Sequence, residues 1–174
     1  MPWEGLSQLA SRGSVVAQRL PDLGRRGEGW FLLQLVLFGV IAGSGAVGPV
    51  WAGWPRVVGM AFGAILICCG GILSFRGVID LRENLTPFPK PLAGARLVET
   101  GAYRLVRHPI YGGLILGALG WGLATASPPA LLGAIVLAGF FDLKSRREEI
   151  WLSERYGDYP AYRSRTRRLL PWLY

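Results

Sequence analysis

The side chains able to do chemistry fall in two stretches of this chain of 174 residues. The first runs from Leu81 to Tyr111. It carries Leu97-Val98-Glu99-Thr100-Gly101-Ala102-Tyr103, then Arg104-Leu105-Val106-Arg107-His108-Pro109-Ile110-Tyr111-Gly112-Gly113. The second holds Lys144, Arg146, Arg147, Glu148 and Glu149, with Tyr156-Gly157, Tyr159 and Tyr162 behind them. His108 is the single histidine of the chain, and taken alone it reads as a structural or interfacial residue beside a helix-starting Pro109. One histidine and the adjacent Cys68 and Cys69 cannot supply a tetrahedral ligand set, so no metal is expected. Lys144 and Glu148 stand four apart on one helix face, where the simplest outcome is a helix ion pair.

The elements that must position these groups are apolar. Hydrophobic residues make up 51% of the chain and charged residues only 17%, against about a quarter charged in ordinary soluble domains. Three stretches contain no Asp, Glu, Lys or Arg: Gly29 to Pro55, Val57 to Phe75 and Pro109 to Phe141. About 20 apolar residues cross a bilayer core. The third stretch is too long for one span, and Pro128-Pro129 divides it. The pattern predicts an all-α integral membrane protein with about four transmembrane helices, over 30–48, 57–78, 110–126 and 130–143. A soluble bundle would need polar faces at helical spacing, which these runs lack.

The net charge of +8 comes from 19 basic and 11 acidic residues. All the basic residues except Arg56 lie before the first span, between the second and third, or after the fourth. Both termini and the long loop are therefore expected on the cytoplasmic side of a multi-pass inner-membrane protein. Three regions follow: an N-terminal cytoplasmic segment over 1–28, a hairpin of spans over 29–79, and a catalytic region over 80–174. Residues 1–28 precede an apolar run long enough to span, so no cleaved leader is expected. Trp3, Leu6, Leu9, Val16 and Leu20 could form one side of an interfacial helix or belong to a frayed tail.

Several strings mislead. Gly43-Ser44-Gly45-Ala46-Val47-Gly48 matches GxGxxG, but it ends a span and lacks the strand, helix and acidic residue that a dinucleotide site needs. Gly39/Gly43, Gly59/Gly63 and Gly113/Gly117 read as small-residue faces for helix packing and leave an oligomer open. Asn84-Leu85-Thr86 fits a glycosylation string, but Pro87 follows and the topology places it inside. The prolines of Leu85-Thr86-Pro87-Phe88-Pro89-Lys90-Pro91 force extended backbone. Past a helix expected to stop near Arg155 or Tyr156, the tyrosines 156, 159 and 162, Trp172 and Tyr174 alternate with arginines. That pattern is expected to anchor in anionic membrane lipid rather than stack on nucleic acid.

Together these strings have a family likeness. Leu97-Val98-x-x-Gly101-x-Tyr103, Arg107-His108-Pro109-x-Tyr111-x-Gly113, a helical hairpin, Glu148-Glu149-x-x-Leu152 and Tyr156-Gly157 resemble the isoprenylcysteine carboxyl methyltransferase family and its prokaryotic relatives, which are similar to phospholipid methyltransferases. The likeness covers about 80–168. It implies a membrane enzyme using S-adenosyl-L-methionine in a non-Rossmann pocket at the cytoplasmic interface, acting on a lipid or prenylated acceptor. It puts the cofactor against Ala95, Arg96, Leu97 and Val98, against Tyr103, and against His108, Pro109, Ile110 and Tyr111. Glu148 is the implied cofactor-binding glutamate, with Lys144, Arg147 and Glu148 at the catalytic centre. Two positions depart from the family: Lys144 stands where the human-type enzymes have a substrate-facing arginine, and Ala95 where a histidine is frequent. A lysine binds a carboxylate less specifically than an arginine. Carboxyl, amine and hydroxyl acceptors all stay open. So do an NADPH-dependent membrane reductase of the sterol-reductase type and a non-catalytic lipid-binding helper.

Overall fold

The fold comes from a computed structural model that describes residues 20–47 and 51–171. The proposed interfacial residues Trp3, Leu6, Leu9 and Val16, and the tail residues Trp172 and Tyr174, lie outside them. The described chain is all helical: α1 (Glu28–Ser44), α2 (Trp54–Leu81), α3 (Pro109–Ala124), α4 (Pro128–Arg155) and the short α5 (Tyr159–Arg165), with 3₁₀ turns at Arg82–Asn84 and Gly101–Arg104.

Two helices are long and apolar enough to cross a membrane: α2 with its 3₁₀ extension (Trp54–Asn84) and α4 (Pro128–Arg155). In the apolar window of α2 only 17% of residues are buried inside the protein. Met60, Phe62, Ile65, Ile72 and Phe75 all face outward. A helix that is apolar all round and mostly exposed has the surface of a membrane protein, not of a soluble core. The other two apolar helices are shorter, at 17 residues for α1 and 16 for α3.

Proline sets the helix starts. Pro55, Pro109 and Pro128-Pro129 occupy first-turn positions, where the missing N–H is no loss and the fixed φ suits a helix. The Pro128-Pro129 pair thus opens α4 rather than forming the turn itself, which is made by Thr125 to Ser127. The Ser127 hydroxyl accepts from the Ala130 amide at 3.3 Å and donates to the Ser44 carbonyl at 2.7 Å, tying the end of α1 to the start of α4. At the opposite end Lys144 of α4 donates to Gln34 of α1, so the two helices run side by side.

The largest helix interface joins α2 to α3 through small residues. Along α2, buried Gly63 and Gly70 face Gly120 and Gly113 of α3, while buried Gly59 and Gly77 meet Leu123 and the Pro109-Ile110 start of α3. A Cβ at Gly63 would stand 2.5 Å from the Gly120 carbonyl oxygen, whereas one at Gly39 would meet nothing within 4 Å. Among the described residues Gly39 and Gly43 therefore meet no close neighbour, unlike Gly59 and Gly63, while Gly117 offers its backbone amide to the close approach of Gly70. Gly63→Leu is expected to push the helices apart and cost about 1–3 kcal/mol. Gly39→Leu should leave the melting temperature in detergent unchanged, and comparing the two variants checks the interface.

A small core of Ile41, Ile115, Leu137, Phe141 and Leu169 joins α1, α3, α4 and the C-terminal segment. The charged segments gather at one end. The proline-rich loop docks there on the start of α1, with Phe88 edge-on to Phe31 at 6.0 Å and Lys90 donating to the Arg25 carbonyl at 3.4 Å. The C-terminal segment crosses the same end: Arg107 N–H donates to the Arg167 carbonyl at 2.8 Å and His108 N–H to the Arg168 carbonyl at 2.9 Å. The tyrosines of α5 correct the anchor reading. Tyr159 is fully buried and Tyr162 nearly so. At i, i+3 spacing they share the inward face of α5, leaving Arg163 and Arg165 exposed.

Candidate functional site

A cavity of about 350 Å³ opens at the charged end, between the starts of α1 and α3, the end of α2, the middle of α4 and the loops. That is within the range of small-molecule sites. Its wall includes Ala95, Arg96, Leu97, Val98, Tyr103, His108, Ile110, Tyr111, Lys144 and Glu148. Nearly every residue singled out in the sequence is thus brought to one place. Pro109 is buried behind the wall as the first residue of α3. Arg147 turns elsewhere: it pairs with Asp22, and its guanidinium lies 4.4 Å from the centre of the Trp151 ring.

Each part of the wall has a local cause. Segment 95–98 has no regular structure and is held from two sides. The Asn84 amide donates to the Arg96 carbonyl at 3.1 Å and accepts from the Arg96 amide at 3.3 Å, while the Tyr156 hydroxyl donates to the Ala95 carbonyl at 2.8 Å. The turn bearing Tyr103 is fastened to α2 by the Asp80 carboxylate, which accepts from Ala102 N–H at 2.7 Å. Gly101 there has φ +60°, and a Cβ would fall on that carboxylate. The Tyr103 carbonyl accepts from the Tyr162 hydroxyl at 2.7 Å. Burial, with the charge of Glu148 next, raises the Tyr103 hydroxyl above its ordinary pKa, so the ring stays neutral.

Pro109 starts α3, which leaves His108 at its N-cap and puts Tyr111 one turn in. The His108 and Tyr111 rings stack at 5.4 Å, and Tyr111 stacks on Phe141 of α4 at 4.7 Å. The Tyr111 hydroxyl donates to Glu148 Oε2 at 2.8 Å, with His108 Nδ1 at 3.7 Å from the same oxygen.

The adjacent glutamates have different surroundings, because consecutive helix positions point about 100° apart. Glu148 faces the cavity. Glu149 turns toward the C-terminal segment, buried among Arg107 Nε at 2.8 Å, His108 Nε2 and Arg168 Nε at 3.3 Å each, and Arg163 Nε at 3.7 Å.

Lys144 does not close on Glu148 as a helix ion pair. Its side chain is buried and faces the cavity. The ammonium donates to Gln34 Oε1 at 2.6 Å and lies 5.1 Å from the centre of the Tyr111 ring.

Gln34 and Asn84 were not singled out for the site from the sequence, and Glu149 and Tyr156 entered only as parts of the Glu-Glu and Tyr-Gly strings with no role assigned. Gln34 carried a signal, as a lone amide inside the first charge-free run. The others depended on which loop meets which helix. Among the described residues no group of three or more His, Cys, Asp and Glu could hold a metal ion.

These features define a membrane-associated helical protein with a small-molecule cavity lined by residues of an RHPxY segment and by Glu148, the first of a glutamate pair. A sequence model described as Phospholipid methyltransferase matches residues 58–159, and the chain belongs to that family. Its similar relatives are of the isoprenylcysteine O-methyltransferase type. It is 28% identical over 116 residues to protein-S-isoprenylcysteine O-methyltransferase B of Arabidopsis thaliana, covering 64% of this chain and 59% of that protein. It is 36% identical over 114 residues to the protein-S-isoprenylcysteine O-methyltransferase of Schizosaccharomyces pombe, covering 62% of this chain and 47% of the relative. A probable protein-S-isoprenylcysteine O-methyltransferase of Oryza sativa subsp. indica is 31% identical over 80 residues, 45% of this chain and 42% of that one. The chain spans about half the length of the curated relatives it matches.

Proposed function

We propose that the protein is a membrane-embedded, S-adenosyl-L-methionine-dependent methyltransferase acting on a lipidic or prenylated acceptor at the cytoplasmic face. The observation that carries this reading is the cavity that collects the RHPxY residues, segment 95–98, Tyr103 and Glu148. Four spans fit the pairing of α1 with α4 from Gln34–Lys144 to Ser44–Ser127, which lays the short α1 along the Ser127–Lys144 part of its longer neighbour. The basic end then faces the cytoplasm, and residues 80–174 supply the catalytic region behind a hairpin over 29–79 and the segment 1–28.

The donor set suits the cofactor. A carboxylate fixed by Tyr111 stands beside stacked rings, with peptide groups of 95–98 on one wall and Val78, Leu85, Ile110 and Leu114 on another. When bound, S-adenosyl-L-methionine supplies an electrophilic methyl group on a sulfonium. Glu148 would pair with the ammonium of its amino-acid end. Segment 95–98 and the neutral ring of Tyr103 would hold the nucleoside. The apolar wall excludes water and orients the acceptor, which is most of what an in-line displacement needs from a protein. Lys144 and Gln34, hydrogen-bonded to each other on the cavity wall, would face the acceptor's reacting group. Arg147 is read as a structural partner of Asp22, outside the reacting centre.

Tyr111→Phe tests the orientation of Glu148. Loss of one hydrogen bond to a charged group is worth about 1.5–3 kcal/mol, so the cofactor dissociation constant measured by calorimetry should rise about tenfold or more. The activity is tested with purified protein, trideuteromethyl-labelled cofactor and a host lipid extract supplemented with prenylated cysteine. One labelled methyl group per acceptor molecule is expected by mass spectrometry. No transfer to any acceptor, or tight binding of NADPH with no binding of S-adenosyl-L-methionine, would overturn the reading.

A further inference from the structure

Tyr159 stands apart from the tyrosines around it. Its side chain is fully buried, and its hydroxyl has no hydrogen-bond partner in the structure. It is the one such buried side-chain oxygen or nitrogen among the described residues. An unpaired hydroxyl in the interior is unfavourable, and buried polar groups in native proteins are normally satisfied. The neighbouring tyrosines follow that rule: the hydroxyls of Tyr156 and Tyr162 donate to the carbonyls of Ala95 and Tyr103.

The placement of Tyr159 looks deliberate in physical terms. It opens α5, whose end is pinned by Arg107 Nη1 donating to the Arg163 carbonyl at 3.1 Å and to the Thr166 carbonyl. Its ring lies edge-on to Tyr162 at 5.9 Å, and it lines the same cavity as Glu148 and Arg107. Burial first, and then the charge of Glu149, hold its proton on against the opposing charge of Arg107. The hydroxyl is therefore a neutral group that both donates and accepts.

We infer that the Tyr159 hydroxyl is a polar contact for the methyl donor, made to the zwitterionic amino-acid end that Glu148 also holds. The inference rests on the proposed cofactor reading and adds a residue to it. Ammonium and carboxylate lie together in that end, and a phenol can accept from the first or donate to the second. Of the donor's parts, this is the one that belongs beside the carboxylate of Glu148, with which Tyr159 shares the cavity wall.

The test is Tyr159→Phe, which keeps the ring against Tyr162 and removes only the unpaired oxygen. Affinities for S-adenosyl-L-methionine, S-adenosylhomocysteine and methylthioadenosine, which lacks the amino-acid end, are measured by calorimetry on the purified protein in detergent. The first two should weaken about five- to twentyfold and methylthioadenosine should not change, with the melting temperature equal to or above the parent's. Tyr162→Phe is the contrast: it strands the Tyr103 carbonyl, so its melting temperature should fall. Unchanged affinity for the first two ligands in Tyr159→Phe, or an equal loss for all three, would overturn the inference. A parent protein that binds none of the three would instead overturn the cofactor reading on which it rests.

Discussion

Glu148→Gln is expected to weaken S-adenosyl-L-methionine binding at least 30-fold while leaving the melting temperature within a degree or two of the parent's. Glutamine matches the shape of the side chain, and its amide oxygen can still accept from the Tyr111 hydroxyl that donates at 2.8 Å in the parent. Fold stability should therefore stay within about 0.5 kcal/mol. Only the charge is lost. A partly buried carboxylate facing a cationic ligand group contributes about 2–5 kcal/mol when its partner would otherwise be left unpaired, and each 1.4 kcal/mol is a factor of about ten. His108→Ala should act in the same direction but less selectively. It removes one ring of the His108–Tyr111–Phe141 stack and a contact of Glu149, so affinity and melting temperature should fall together. If Glu148→Gln and His108→Ala both bound the cofactor as tightly as the parent, the assignment of this cavity to the cofactor would fail.

What the sequence disclosed, and what it hid, follows from the range of each interaction. The start of α3 was legible because Pro109 acts within its own turn, whereas Pro128-Pro129 was read as a break between spans and instead opens α4. The apolar helices were legible because residues without charge for this length have few other uses. The RHPxY and Glu-Glu strings were legible as a set, and the cavity brings Arg107, His108, Tyr111 and Glu148 together while Glu149 turns to the C-terminal segment. The partner of Lys144 was not legible, since at i, i+4 spacing Glu148 is the local choice. The structure offers Gln34, 110 positions away in the chain. The inward turn of Tyr159 and Tyr162 was hidden for a similar reason. Alternating aromatics and arginines are the same string whether the rings face lipid or a cavity, and only the docking of α5 under Tyr103 and Arg107 decides it. Small-residue pairs showed the same limit. Gly59/Gly63 and Gly39/Gly43 share one spacing, but only the first pair has a helix against it.

Glu149→Gln, one residue along the helix, should have the opposite profile: a fall in melting temperature of about 10 °C or more. The Glu149 carboxylate is the common counter-charge for Arg107 and Arg168 and a partner of His108 and Arg163. Its side chain is only 4% exposed, and that of Arg107 only 7%. Taking one partner from a buried ion pair leaves a desolvated charge and costs about 3–5 kcal/mol. For a chain of this size about 1 kcal/mol corresponds to 2–4 °C. The loss should be local at first, because Arg107, His108 and Arg168 also form the main-chain junction by which the C-terminal segment crosses the start of α3. Amide exchange at Arg107 and His108 should accelerate before that of α2. Arg168→Gln keeps Arg107 on the carboxylate and should cost less. In the double variant the two effects should sum to less than their separate costs, since the groups share one network. A melting temperature for Glu149→Gln within 2 °C of the parent's would mean that the arginines find other partners and that the glutamate is not what holds the segment down. With Glu148→Gln losing ligand but not stability and Glu149→Gln losing stability first, adjacent and chemically identical side chains would be separated by direction alone, one facing the cavity and the other the C-terminal segment.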